Sequence, residues 1–291
     1  MLLGLAWGSL ATDVVVAQAG RTPVPARHGM VATSHHLASQ VGIDVLRRGG
    51  NAVDAAVATA LAEEVVYPFA GNIGGGGFMI YHGADGEVTS FNFRERAPLA
   101  ATERMFASPD SGIARTEFSW IGRGGEVEDE ANHEGLLSVG VPGTVAGLYL
   151  AHERFGTLPW AELVQPAVDL AREGFPSSWD MQSIQKGIAR NAEKFRSTAD
   201  VFLKNGDEPY EPGEIWKQPE LAETLERIRD QGRDGFYKGK TARLIADYMR
   251  KHGGLITEED LARYEAVEQA PIHGTYRGYD VYAMSPPSSG G

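Results

Sequence analysis

The sequence predicts a mixed α+β chain, on three observations. Residues 78–82 and 87–93 read as two strands joined around Asp85-Gly86, a strong hairpin signal. Residues 144–154, 160–173, 219–230 and 241–251 then carry apolar side chains at helical spacing. Near the end, residues 270–273 and 277–284 alternate again like hairpin strands.

The remaining elements follow from local signals. Met30-Val31-Ala32-Thr33 reads as a short strand, and Ser34 as the N-cap of a helix that places Leu37, Val41 and Val45 on one face before Gly49-Gly50 ends it. Residues 51–66 are rich in alanine, with small side chains all round, which predicts a helix packed closely on several sides. Gly253-Gly254 closes the last long helix, and Thr257-Glu258-Glu259-Asp260 resembles a capping box that opens another. Residues 108–134, rich in glycine, serine and charge, read as a long exposed connection. No repeat or clean linker divides the 291 residues.

Composition narrows the function. With 42% hydrophobic and 23% charged residues the chain can bury a core, and its net charge of -12 disfavours nucleic acid or an anionic membrane as partner. The absence of cysteine excludes disulfides, thiolate metal sites and a cysteine nucleophile. Residues 1–19 read as a signal peptide: an apolar run from Leu2 to Ala11, then Ala17-Gln18-Ala19 ahead of cleavage before Gly20. They lack a preceding lysine or arginine, and Asp13 interrupts them. No segment is long enough to span a bilayer. At the other end, the strands run into Pro286-Pro287-Ser288-Ser289-Gly290-Gly291, a loop composition that predicts a truncated domain.

Several motifs invite chemistry and fail its requirements. The run Gly71-Asn72-Ile73-Gly74-Gly75-Gly76-Gly77 lacks both G-x-G-x-x-G and the Lys-Ser or Lys-Thr of a phosphate loop, and leads from helix into strand, the reverse of a phosphate site. Close backbone packing explains it better. His35 and His36 should point to different faces, and His133-Glu134 and His152-Glu153 lack the second histidine of a zinc helix, so solvated histidines are expected. Ser288 and Ser289 have no nucleophile elbow around them. Arg94 falls at a strand end beside Glu95, where an arginine is ordinarily a solvated charge, although its planar fork can hold a carboxylate through two parallel hydrogen bonds.

Taken together, ordered segments resemble the signatures of the gamma-glutamyltransferase family. They are Gly29 to Ala32, Arg48 to Ala58, Gly71 to Met79, and Phe93-Arg94-Glu95-Arg96-Ala97-Pro98, followed by Val141 to Gly147, Gly235 to Gly239, Gly253 to Thr257 and Pro286 to Gly291. The resemblance implies an N-terminal-nucleophile hydrolase with a four-layer αββα architecture, incomplete in this chain, in which residues 20–291 form a truncated large-subunit portion. It implies a precursor that cleaves itself and a threonine nucleophile, at the start of the small subunit, whose own α-amino group serves as base. Backbone donors stabilise the oxyanion, and a gamma-glutamyl group passes from glutathione to water or to an amino-acid or peptide acceptor.

By the same resemblance Arg94 grips the α-carboxylate of the gamma-glutamyl donor, while the Thr-Thr-His-like processing signature and the nucleophile are not found in these residues. Thr257 and Ser288 do not replace them. No cofactor or metal is implied. The partners are gamma-glutamyl compounds, their amine acceptors and the missing small subunit, and the implied location is periplasmic or extracellular. The alternatives are a cephalosporin-acylase-like amidase and a non-catalytic fragment.

Overall fold

The computed structural model describes residues 24–106 and 131–289. Residues 1–30 form a unit separate from residues 31–291, and its described part, residues 24–30, carries no helix or strand. The signal peptide expected over residues 1–19 lies outside the described residues, as does the connection expected over residues 108–134 up to residue 130.

The body opens with α1 (His36–Arg47). The strand expected over residues 30–33 does not form. The Thr33 hydroxyl donates to the His35 carbonyl (2.8 Å) and accepts from the His35 N–H (3.2 Å), so it turns the chain into the helix. The N-cap is consequently His35 and not Ser34, with Nδ1 accepting from the Leu37 N–H. In α2 (Ala52–Val66), Asn51 accepts from the N–H groups of Val53 and Asp54, while the Asp54 carboxylate accepts from the Asn51 N–H, a reciprocal cap. Burial pushes the Asp54 carboxyl up, but hydrogen bonds from Thr157, Asn51 and Leu158 outweigh it and hold the pKa below the ordinary value. As the small residues predict, α2 is buried nearly all round, and it packs on α1 and on the two helices Thr144–Phe155 and Trp160–Glu173.

β1 (Gly77–His82) and β2 (Val88–Phe93) form the expected antiparallel hairpin, with Gly77 opposite Phe93. Its turn uses Gly86 at φ +88°, and the Asp85 carboxylate accepts from the Glu87 N–H. There follow α3 (Thr144–Phe155), α4 (Trp160–Glu173), β3 (Phe175–Pro176), α5 (Trp179–Arg190), α6 (Arg196–Phe202), β4 (Ile215–Trp216), α7 (Pro219–Gln231), α8 (Asp234–Tyr237), α9 (Gly239–His252) and α10 (Glu258–Arg263). The four helices read from apolar spacing all appear. α5 escapes that reading because its buried residues are Met181, Gln182 and Gln185, two of them polar. Gly253 closes α9 in the left-handed region, and the Thr257 hydroxyl and Asp260 cap each other's backbone at the head of α10, so Thr257 is a structural residue.

The chain ends in β5 (Val267–Gln269), β6 (Ile272–Tyr276) and β7 (Tyr279–Ala283). The hairpin of β6 and β7 follows the expectation in kind, although β6 begins two residues later than expected and is exposed along its whole length. β5 does not follow the expected alternation, because two of its three residues are polar and backbone pairing to β2 holds it, with the Ser90 hydroxyl donating to the Gln269 carbonyl at 2.8 Å. The described strands make one three-stranded sheet, β1-β2-β5, and two two-stranded pairs. The chain is therefore α+β, with α3 packed on the hairpin and α2 behind it. Among the described residues no helix is long and apolar enough to cross a membrane.

Candidate active site

A cavity of about 500 Å³ opens where the end of α2, the glycine run, the end of β2 and the start of α3 meet. Backbone contacts build it. The Gly75 carbonyl accepts from the N–H groups of Gly143 (2.7 Å) and Thr144 (3.2 Å), and the Thr144 hydroxyl donates to the Asn72 carbonyl (3.1 Å). The head of α3 is thus occupied by the protein's own carbonyl and is no phosphate cradle. A Cβ on Gly76 would stand 2.4 Å from the Phe93 carbonyl oxygen, which explains the absence of a side chain there. The run packs, as expected, and it packs against the residue before Arg94.

Arg94 lines this cavity, held through its backbone while its side chain stays exposed. Its N–H donates to the Asn92 side chain (3.1 Å), and its carbonyl accepts from the Tyr264 hydroxyl (2.9 Å). Tyr264 is itself fixed by stacking on Tyr237, and burial pushes its phenol up to about 12, so it remains a donor across the physiological range. The guanidinium meets Glu95, with Nη1 3.1 Å from Oε2. Glu95 Oε2 nevertheless has no partner in hydrogen-bond geometry. The pair is therefore a charge contact without directional bonds, worth little at an exposed site, and the fork remains available to a second carboxylate.

Glu64 borders the same cavity from α2 with only 4% of its surface exposed. Its Oε2 meets no hydrogen-bond partner, and burial raises the carboxyl well above its ordinary 4.5. A raised folded-state pKa means that the group's stabilising contribution is fully present below the unfolded value of 4.5 and is lost as pH rises through the folded value. Glu64→Gln keeps the volume and removes the titration. Thermal melts should show the variant more stable than the parent on the alkaline side, with the difference vanishing in acid; parallel curves at all pH values would contradict a carboxyl whose pKa burial raises.

A model of the family described as Gamma-glutamyltranspeptidase matches residues 38–291. The chain belongs to the gamma-glutamyltranspeptidase family. It is 45% identical over 276 residues to the glutathione hydrolase proenzyme of Pseudomonas sp. (strain A14), covering 95% of this chain and 46% of that one. To the Escherichia coli (strain K12) glutathione hydrolase proenzyme it is 46% identical over 277 residues, covering 92% and 44%. The chain thus spans less than half the length of these relatives. Among solved structures, Helicobacter pylori gamma-glutamyltranspeptidase superposes with a TM-score of 0.85 at 42% identity, covering 92% of this chain and 73% of that one. The Pseudomonas nitroreducens gamma-glutamyltranspeptidase complexed with L-DON gives 0.80 at 43% identity, covering 91% and 73%. A Bacillus halodurans cephalosporin acylase gives 0.76 at 30% identity, covering 94% and 50%.

For a gamma-glutamyltranspeptidase chain, sequence reasoning names Arg94 and its neighbour Glu95 and misses Glu63 and Glu64, which line the same cavity. The available signal was Glu63-Glu64, an acidic pair in a helix whose other residues, Asp54 and Thr59 apart, are apolar. Of the histidines, His36 and His133 are exposed as expected, while His35 and His152 are half-buried. His35 stacks on His36 at 4.9 Å and lies edge-on to Phe175, and burial lowers its pKa. His152 Nε2 lies 2.8 Å from the Leu158 carbonyl. Both are packing residues more than solvated ones.

Proposed function

We propose that these residues are the large-subunit portion of an exported gamma-glutamyltransferase and glutathione hydrolase. The observation that carries this reading is the exposed guanidinium of Arg94, fixed by its backbone at the wall of a cavity and lacking directional bonds to Glu95. An α-carboxylate is the ligand that fits such a fork. Holding it fixes which end of glutathione enters and presents the gamma-carbonyl to a threonine supplied by the small subunit. The acyl-enzyme is then resolved by water or by an amino-acid or peptide amine.

What Arg94 contributes is binding and orientation. In this reading the attacking group and the oxyanion donors come from the small subunit. Likeness to cephalosporin acylase keeps one other acyl class in view, that of glutaryl amides. The full-length proenzyme should turn over a gamma-glutamyl anilide with kcat/KM about tenfold or more above that for the matching glutaryl anilide. A preference for the glutaryl compound would replace this reading with the acylase one.

A further inference from the structure

Arg94 sits in a gap between two paired positions. Phe93 is the last residue of β2, opposite Gly77, and Arg96 is the next to pair, its N–H donating to the Val141 carbonyl (3.2 Å) and its carbonyl accepting from the Val141 N–H (2.7 Å). Between them, among the described residues, no sheet bond fixes the Arg94 backbone. Two side chains do so instead. Asn92 takes the N–H, and the Tyr264 hydroxyl, 170 residues along the chain, donates to the carbonyl at 2.9 Å.

A buried phenol needs an acceptor, and many carbonyls would serve. What singles out Tyr264 is how firmly it is held. Its ring lies parallel to that of Tyr237, with centroids 5.7 Å apart and planes at 9°. Arginines flank the pair: the Arg96 guanidinium carbon stands 5.4 Å over the Tyr264 ring, and that of Arg233 stands 4.9 Å over the Tyr237 ring. Arg233 Nη2 also donates to the Tyr264 carbonyl. Tyr237 in turn donates its hydroxyl to the Pro142 carbonyl (2.9 Å), just before the head of α3. One stack of two tyrosines and two arginines therefore ties together two walls of the cleft, the strand end that carries Arg94 and the start of α3. Tyr264 is only 2% exposed and does not line the cavity, so any influence on a ligand passes through Arg94.

We propose that Tyr264 is a positioning residue of the cleft: its hydroxyl holds the Arg94 carbonyl and so sets where the guanidinium meets a ligand carboxylate. This rests on the reading of Arg94 above. The Arg94 side chain makes only the weak contact with Glu95, so its placement follows the backbone that bears it. A fork that makes two parallel hydrogen bonds tolerates a displacement of about 0.5 Å before the second bond is lost.

The test uses the full-length proenzyme with Tyr264→Phe, Arg94→Ala and the two combined, assayed with gamma-glutamyl and glutaryl anilides, both of which carry the carboxylate. Phenylalanine keeps the ring, its stack and the Arg233 bond to the backbone, so the variant should melt within a few degrees of the parent. The expected result is a KM raised about fivefold for both compounds, with kcat within about twofold of the parent. Added to Arg94→Ala, Tyr264→Phe should cause no further loss of kcat/KM, because the hydroxyl acts through that guanidinium. A residue that only supports the fold would cost the same in either background. That result, or an unchanged KM in the single variant, would overturn the proposal. Should Arg94→Ala leave donor kinetics untouched, the reading of the site itself fails; an effect at Arg94 with an additive effect at Tyr264, or none, sinks this inference alone.

Discussion

Arg94→Ala in the full-length proenzyme should raise the KM for a gamma-glutamyl anilide by about 100-fold, the loss expected when a bidentate, charge-assisted contact worth roughly 2–3 kcal/mol is removed. Arg94→Lys should recover part of this, leaving KM about tenfold high, because the charge returns and the fork does not. The fold should be indifferent to both, since the Arg94 backbone makes the structural bonds and its side chain makes only the weak contact with Glu95. Steady-state kinetics and a thermal melt on the same preparations separate these effects. An unchanged KM would remove Arg94 from the site.

Gly143→Ala should produce the largest loss of stability. A Cβ there would stand 2.0 Å from the Phe93 carbonyl oxygen and 2.2 Å from the Tyr264 hydroxyl. The first is a backbone atom and cannot swing aside, and the second is the donor that fixes the Arg94 carbonyl. Overpacking of this kind should cost about 3 kcal/mol or more, or roughly 10 °C in Tm, and loosen the strand end that carries Arg94. Gly187→Ala in α5 is the control, since nothing lies within 4 Å of the added atom. It should stabilise by up to about 1 kcal/mol through helix propensity alone. Similar melts for the two variants would refute the packing argument.

These expectations show where the sequence was informative. Hairpin chemistry at Asp85-Gly86, the Thr257 cap and the apolar helical spacing are local signals, and the elements they announce are present. β5 and α5 were not legible because a long-range pairing to β2 defines one and polar residues line the buried face of the other. The sequence named Arg94, which lines the cavity, through its motif. It did not name the carboxylate of Glu64, because only the packing of α2 against α3 and the glycine run turns a helical glutamate into a buried, unpartnered acid. The glycine run needed both levels: spacing excluded a phosphate loop, and the contact with Phe93 gave the reason for Gly76 and Gly77.

The most direct test of the site is a crystal structure of the full-length proenzyme with glutamate bound. The ligand's α-carboxylate should lie in the plane of the Arg94 guanidinium, with two oxygens at about 2.7–2.9 Å from its nitrogens. Glutamate bound elsewhere, with Arg94 still engaged by Glu95 alone, would contradict the assignment.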